Sequence, residues 1–197
     1  QLQARSEAPG ATLLIQKKDL PSAVLEAADD IGTSTLWFDE ESLTLERLRA
    51  FRKKGLRLKG IKDPVARLRL LKDPDELTKI RCAIDRAEFS FRRVRRYIRP
   101  GVTEHELGLR LEWFMREQGA RRAAFDIIVA SGRNSAMPHA ALSNRRLHAG
   151  DLVTFDFGAE ADGYFCDITR TVSVGPPSAR QRILHDLVLS AQRTAID

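Results

Sequence analysis

Residues 151–175 read DLVTFDFGAEADGYFCDITRTVSVG and contain both a strand pattern and a pair of acids from which the rest can be built outward. Val153, Phe155 and Phe157 alternate with Thr154 and Asp156, the period of a strand buried on one face. The Asp162-Gly163 pair signals a tight turn, which makes the segment a β-hairpin. A turn centred on Ala161 and Asp162 sets Asp156 directly across from Asp167, and one centred on Asp162 and Gly163 makes the two diagonal neighbours. Both registers put the carboxylates on one face, whereas a three-residue turn centred on Asp162 would send Asp167 to the other. With either two-residue turn, Cys166, Ile168 and Val172 join the apolar side and Thr169 and Thr171 the acidic side; Arg170 alone contradicts the pattern. Two carboxylates about 5 Å apart across a strand pair destabilise a sheet unless something neutralises them. A shared proton does this in an acidic dyad, and a divalent cation does it through hard oxygen ligands. Solvent exposure on the free face of a sheet is the alternative that needs no function.

Upstream of the hairpin, FDIIVAS (125–131) predicts another strand, followed by a polar loop through Pro138 and His139. Thr103 and Glu106 form a capping box for a helix with Leu107, Leu111, Phe114 and Met115 inward, ended by Gly119. Asp73, Pro74 and Glu76 likewise open a long helix to about Ile98, with Leu77, Ile80, Ile84, Ala87, Phe91 and Val94 as its apolar stripe. Downstream, Pro176 and Pro177 break the strand and Ser178 caps an amphipathic helix carrying Ile183, Leu184, Leu187 and Val188. The first 61 residues alternate differently: ATLLIQ (11–16) as a strand, a helix from Pro21 to Gly32, TLWF as a strand, a helix from about Ser42 to Gly55, then LRLKGI. Asp63 and Pro64 open a short helical pattern, and a domain boundary belongs near residue 72.

Composition excludes several classes. Apolar runs are far shorter than the ~20 residues of a membrane-spanning helix. The chain opens on Gln1 with no leader pattern, so an internal cut is expected there. Cys82 and Cys166 have no CxxC spacing; small buried thiols in a reducing cytoplasm are expected. The net charge of +6 raises the question of a nucleic-acid partner. Its cations concentrate at Lys79, Arg81, Arg86, Arg92, Arg93, Arg95, Arg96 and Arg99, on the polar faces of one amphipathic helix, which argues against that partner.

From Arg99 to Gly175 the chain resembles the pita-bread metallopeptidases, in the Xaa-Pro aminopeptidase and Xaa-Pro dipeptidase (prolidase) branch. RPGVTEHEL, FDIIVASGRNSAMPHA, AGDLVTFDFGA and YFCDITRTVSVG carry the likeness, and LLKDPDELTKIR (70–81) is similar to that branch's interdomain linker. The resemblance implies an α/β plus α+β fold: a partial creatinase-like N-terminal α/β domain over 1–72, then the first half of a pita-bread α+β catalytic domain over 73–197. It implies Asp156 as a ligand of one metal, Asp167 as a ligand shared by two, and His139 beside the substrate. The implied cofactors are two divalent ions, manganese first and cobalt or zinc as alternatives; the implied substrate is a peptide with proline at its second position. A homodimer is expected for the full-length protein, with no membrane partner. His105, His148 and His185 receive no role. The family completes its site with one His and two Glu well beyond the second Asp; after Asp167 this sequence has His185 and no Glu. This chain alone is therefore expected to be an inactive fragment of a peptidase. The alternatives are a catalytically inactive pita-bread module that binds protein or nucleic acid, and a creatinase-like amidinohydrolase.

Overall fold

A computed structural model describes residues 2–63 and 65–197, which fall into two compact units, Gln1–Leu71 and Lys72–Asp197. In the first unit α1 (Leu2–Glu7) precedes α2 (Leu20–Asp30), whose first turn holds Pro21 and whose Ser22 N–H donates to the Asp19 carboxylate at 2.8 Å. Strand β1 (Thr35–Asp39) leads through α3 (Leu45–Lys53), capped by Thr44, to a parallel β2 (Arg57–Ile61). A small core of Ala28, Phe51 and Leu56 joins these elements, with Leu36 and Leu58 packed on it. The strand expected at ATLLIQ is not formed: residues 11–16 are irregular, and Leu13, Leu14 and Ile15 are exposed. An apolar run becomes a strand only where a neighbour takes its N–H and C=O groups, and among the described residues β1 and β2 pair only with each other. The helix expected to open at Asp63 and Pro64 is present as α4 (Ala66–Leu70); Pro64 itself lies outside the described residues.

The second unit begins with α5 (Pro74–Val94), which continues into a 3₁₀ turn, and α6 (Glu104–Glu117); both carry complete capping boxes, Asp73 with Glu76 and Thr103 with Glu106. An antiparallel sheet follows, in the order β3 (Ile128–Ser131), β4 (Leu152–Phe157), β7 (Ile168–Ser173), with a small hairpin of β5 (Glu160–Ala161) and β6 (Tyr164–Phe165) at its end. Helix α7 (Ala179–Ile196) closes the unit. On β4 the inward residues Val153, Phe155 and Phe157 are fully buried. Phe91 of α5 meets Phe155 edge-on at 5.3 Å and stacks on Phe157 at 5.4 Å, so one sheet face is sealed by helix and the other is left for Thr154 and Asp156.

Four expectations shift in detail. FDIIVAS is a strand only from Ile128, because Phe125 to Ile127 form the approach to the sheet. The buried stripe of α5 starts at Ala83, and Leu77 is exposed. The apolar face of α7 is present in sequence, yet Ile183 is 70% and Leu187 66% exposed, with nothing among the described residues covering them. Arg170 does lie on the helix-covered side, opposite Phe155, and its guanidinium reaches Glu88 of α5 at 2.7 Å. Its long stem runs along the core edge while the charge stays wet, a resolution that alternation alone cannot show.

Candidate functional site

The turn of the hairpin is centred on Asp162 and Gly163, with φ of 51° and 82°, the double positive φ of a type I′ turn. The register it sets runs unbroken past the hairpin: Glu160 pairs with Phe165, Phe157 with Ile168 and Asp156 with Thr169. Asp167, two residues before Thr169, is thus a diagonal neighbour of Asp156, the second of the two registers open from sequence. Tyr164 fastens the hairpin tip to α5 by donating to the Glu76 carboxylate at 2.8 Å, which pushes the phenol above its ordinary range.

Asp156, Asp167 and His139 line one cavity of about 970 Å³, together with the apolar Ile127, Ile128 and Leu142. Thr169 donates to Asp156 Oδ1 at 2.8 Å and orients that half-buried carboxylate. Asp167 is exposed, and among the described residues no hydrogen bond or ion pair engages its carboxylate. Also in the lining, Arg116 pairs with Glu112 at 2.8 Å, and Arg122 pairs with the buried Glu160 at 2.6 Å. With those cations matched, Asp126, Asp156 and Asp167 are lining acids without a cationic partner among the described residues, so the cavity attracts positive charge. The donors have the chemistry of a hard divalent ion's ligands, but two carboxylates are too few to hold one alone. No group of three or more His, Cys, Asp or Glu side chains among the described residues is disposed to hold an ion. Cys166, buried beneath the hairpin, takes no part: burial pushes its thiol up, which keeps it neutral near pH 7.

Residues 78–197 match the profile of metallopeptidase family M24. The chain belongs to this family. M24 membership implies divalent metal cofactors. The Xaa-Pro dipeptidase of Pyrococcus furiosus is 34% identical over 189 residues, which cover 92% of this chain and 54% of that protein. Among solved structures, an Xaa-Pro dipeptidase from Bacillus anthracis superposes with a TM-score of 0.92 at 37% identity, covering 97% of this chain and 54% of that one. An X-Pro aminopeptidase from Thermotoga maritima gives 0.90 at 36% identity, with 98% and 55% covered. The chain spans about half the length of the curated relatives it matches, and its fold is that of roughly the first half of the M24 pita-bread structures.

Several groups at this M24 cavity were not legible in sequence. Glu112, Arg116 and Arg122 read as helix-surface and loop charges, with no spacing that would bring them to the aspartates. Away from the cavity lining, Arg145 and Asp151 form a bidentate pair at 2.7 and 3.1 Å, and Arg145 also donates to the Ser131 hydroxyl of β3. The Arg145 bond holds the Asp151 carboxyl below its ordinary value of 3.8, so the stabilisation it gives is complete above that value and is lost as pH falls through the depressed one. Asp151→Asn is expected to cost about 1–3 kcal/mol at neutral pH. In urea denaturation the gap between wild type and variant narrows as pH drops below 3.8; a gap independent of pH would disprove the assignment.

Proposed function

We propose that the full-length protein is a dinuclear metallopeptidase that hydrolyses the peptide bond before proline, as an Xaa-Pro dipeptidase or aminopeptidase. One observation carries the proposal: Asp156 and Asp167 of the hairpin and His139 of the loop before it line the same acid-lined cavity. The names of the similar proteins, Xaa-Pro dipeptidase and X-Pro aminopeptidase, support the substrate class. Divalent ions, manganese by preference, would supply an activated water at neutral pH and a Lewis acid for the substrate carbonyl. Asp156 and Asp167 contribute two of the ligands, Asp156 with its rotamer fixed by Thr169. His139, exposed on the cavity wall, donates a hydrogen bond to the oxygen on which charge develops or passes a proton to the departing proline nitrogen. Residues 1–72 belong to a creatinase-like N-terminal domain in this proposal, and the two free cysteines suit a cytoplasmic location. Among the described residues no helix is long and apolar enough to cross a membrane.

The binding-module alternative loses support in the basic helix. Arg86 donates to the Gly119 carbonyl, Arg93 pairs with Glu117 and lies over Phe114, and Lys79 lies over Tyr164, so these cations are engaged within the unit.

The test is hydrolysis of an Xaa-Pro dipeptide and of a longer Xaa-Pro peptide by the full-length protein, with and without added manganese. Cleavage that rises with manganese is expected, with preference for the dipeptide marking a dipeptidase and for the longer peptide an aminopeptidase. The 197-residue chain alone is expected to cleave neither above background, since two carboxylates cannot hold the ions. No cleavage by the full-length protein with manganese, cobalt or zinc would refute the proposal.

A further inference from the structure

Glu104 is fully buried at the first position of α6, and nothing in the proposed hydrolysis uses it. A buried carboxylate is costly unless hydrogen bonds replace its water, and here they come from residues 27 to 39 positions away. Ser131 donates its backbone N–H at 2.6 Å and its hydroxyl at 2.7 Å to one oxygen. Asn134 donates its amide to both oxygens at 3.1 and 3.2 Å, and the Ser143 hydroxyl donates at 2.5 Å. The backbone runs in step: Glu104 N–H donates to the Arg145 carbonyl at 3.1 Å and His105 N–H to the Ser143 carbonyl at 3.0 Å. Arg145 closes the cluster by donating to the Ser131 hydroxyl while its fork grips Asp151. Helix capping does not account for this arrangement, because Thr103 and Glu106 already complete the capping box of α6.

What the bonds share is a loop. Ser131 and Asn134 stand at its start, Ser143 and Arg145 at its end, and the span between them carries His139, whose imidazole has no hydrogen bond or ion pair among the described residues. The direction of that imidazole is therefore set by the loop's anchorage and not by a partner of its own. We propose that Glu104 is a positioning residue for His139, a buried clasp that ties both ends of the 131–145 loop to α6 and so holds the imidazole on the cavity wall. This rests on His139 serving the hydrolysis proposed above.

The experiment uses the full-length protein with Glu104→Gln, which keeps the shape but replaces one acceptor oxygen by a donor, and with Ser143→Ala, which removes one bond to Glu104 together with those the Ser143 hydroxyl accepts from the Arg145 N–H and the Asn134 amide. Glu104→Gln is expected to lower kcat on an Xaa-Pro substrate about 10- to 100-fold with KM changed less than about threefold, because a misplacement of about 1 Å has costs of that order. Bound metal stays at the wild-type level. Hydrogen exchange of amides in 132–142 accelerates at least about tenfold while those of β4 and β7 keep their protection, since loosening is local. Adding His139→Ala to Glu104→Gln lowers kcat little further, because both act on one group. Ser143→Ala moves the same readouts in the same direction by less, and it decides the matter if Glu104→Gln does not fold. Wild-type exchange in the loop, a loosened loop with unchanged kcat, or full multiplication of the two losses would each overturn the proposal. A wild type that cleaves no Xaa-Pro peptide overturns the peptidase proposal instead, and loop exchange then still reports whether Glu104 is the clasp.

Discussion

Asp167→Asn in the full-length protein is expected to lower kcat/KM on an Xaa-Pro substrate on the order of a thousandfold. Bound metal supplies several kcal/mol of charge stabilisation in the transition state, and each ~1.4 kcal/mol is a factor of ten. Asn preserves the size of the side chain and removes the anionic oxygen that a hard divalent ion requires. The stability of the metal-free protein is expected to move the other way. Asp167 has no hydrogen bond or ion pair to lose among the described residues, and it is the diagonal neighbour of Asp156 across the strand pair. Removing one of two like charges across a strand pair stabilises the sheet by roughly 0.2–1 kcal/mol. Asp156→Asn lacks that clean signature, because Thr169 donates to Asp156 and part of the bond is lost with the charge. Three measurements on each variant check this: bound metal, kcat/KM and the metal-free melting temperature. An Asp167→Asn enzyme that keeps its metal and stays within about threefold of wild-type kcat/KM would remove Asp167 from the ligand set.

The opposed signs arise from a feature that was legible in sequence before any coordinates. Alternation over 152–157 and the Asp162-Gly163 turn are local rules, each satisfied within a few residues, and they suffice to bring two acids to one face. What decided between the two registers was the pairing of Ala161 with Tyr164, which leaves Asp162 and Gly163, both at positive φ, as the turn, a detail that composition allows without dictating. The capping boxes of α5 and α6 were legible for the same local reason. Features that failed or were missed are long-range. ATLLIQ has the residues of a strand but no neighbour to bond. Arg170 breaks the alternation, and only Glu88, 82 residues earlier, accounts for it. Glu104 reads as an ordinary first-turn acid that favours the helix dipole, and only tertiary contact with Ser131, Asn134 and Ser143 separates it from Glu106.

Gly158→Ala is expected to cost about 3 kcal/mol or more of stability and to take metal binding with it. Gly158 follows β4 directly and lies between Asp156 and the hairpin, at the point where the ladder passes from β4–β7 to β5–β6. A Cβ built there would stand 1.9 Å from the carbonyl oxygen of Cys166 and 3.0 Å from the Cβ of Ala124. The first obstacle is backbone, so no side-chain rotation can relieve it, and the two strands must part. Parting breaks Cys166 N–H to the Ala159 carbonyl at 3.1 Å and Ala159 N–H to the Cys166 sulfur at 3.3 Å, next to the bond from Ala124 N–H to the Gly158 carbonyl at 2.9 Å. Asp167 is the next residue after Cys166, so the same displacement carries its carboxylate away from Asp156. Gly163→Ala is the matched control, with open space around the added carbon and a φ of 82°. It should cost only about 1–2 kcal/mol, the ordinary penalty for a side chain in the left-handed region, and leave metal binding intact. Urea denaturation and metal titration of both full-length variants separate the two causes. A Gly158→Ala protein within about 1 kcal/mol of wild type, with wild-type metal affinity, would mean that the close approach of residues 158 and 166 does not govern the geometry of the acid pair.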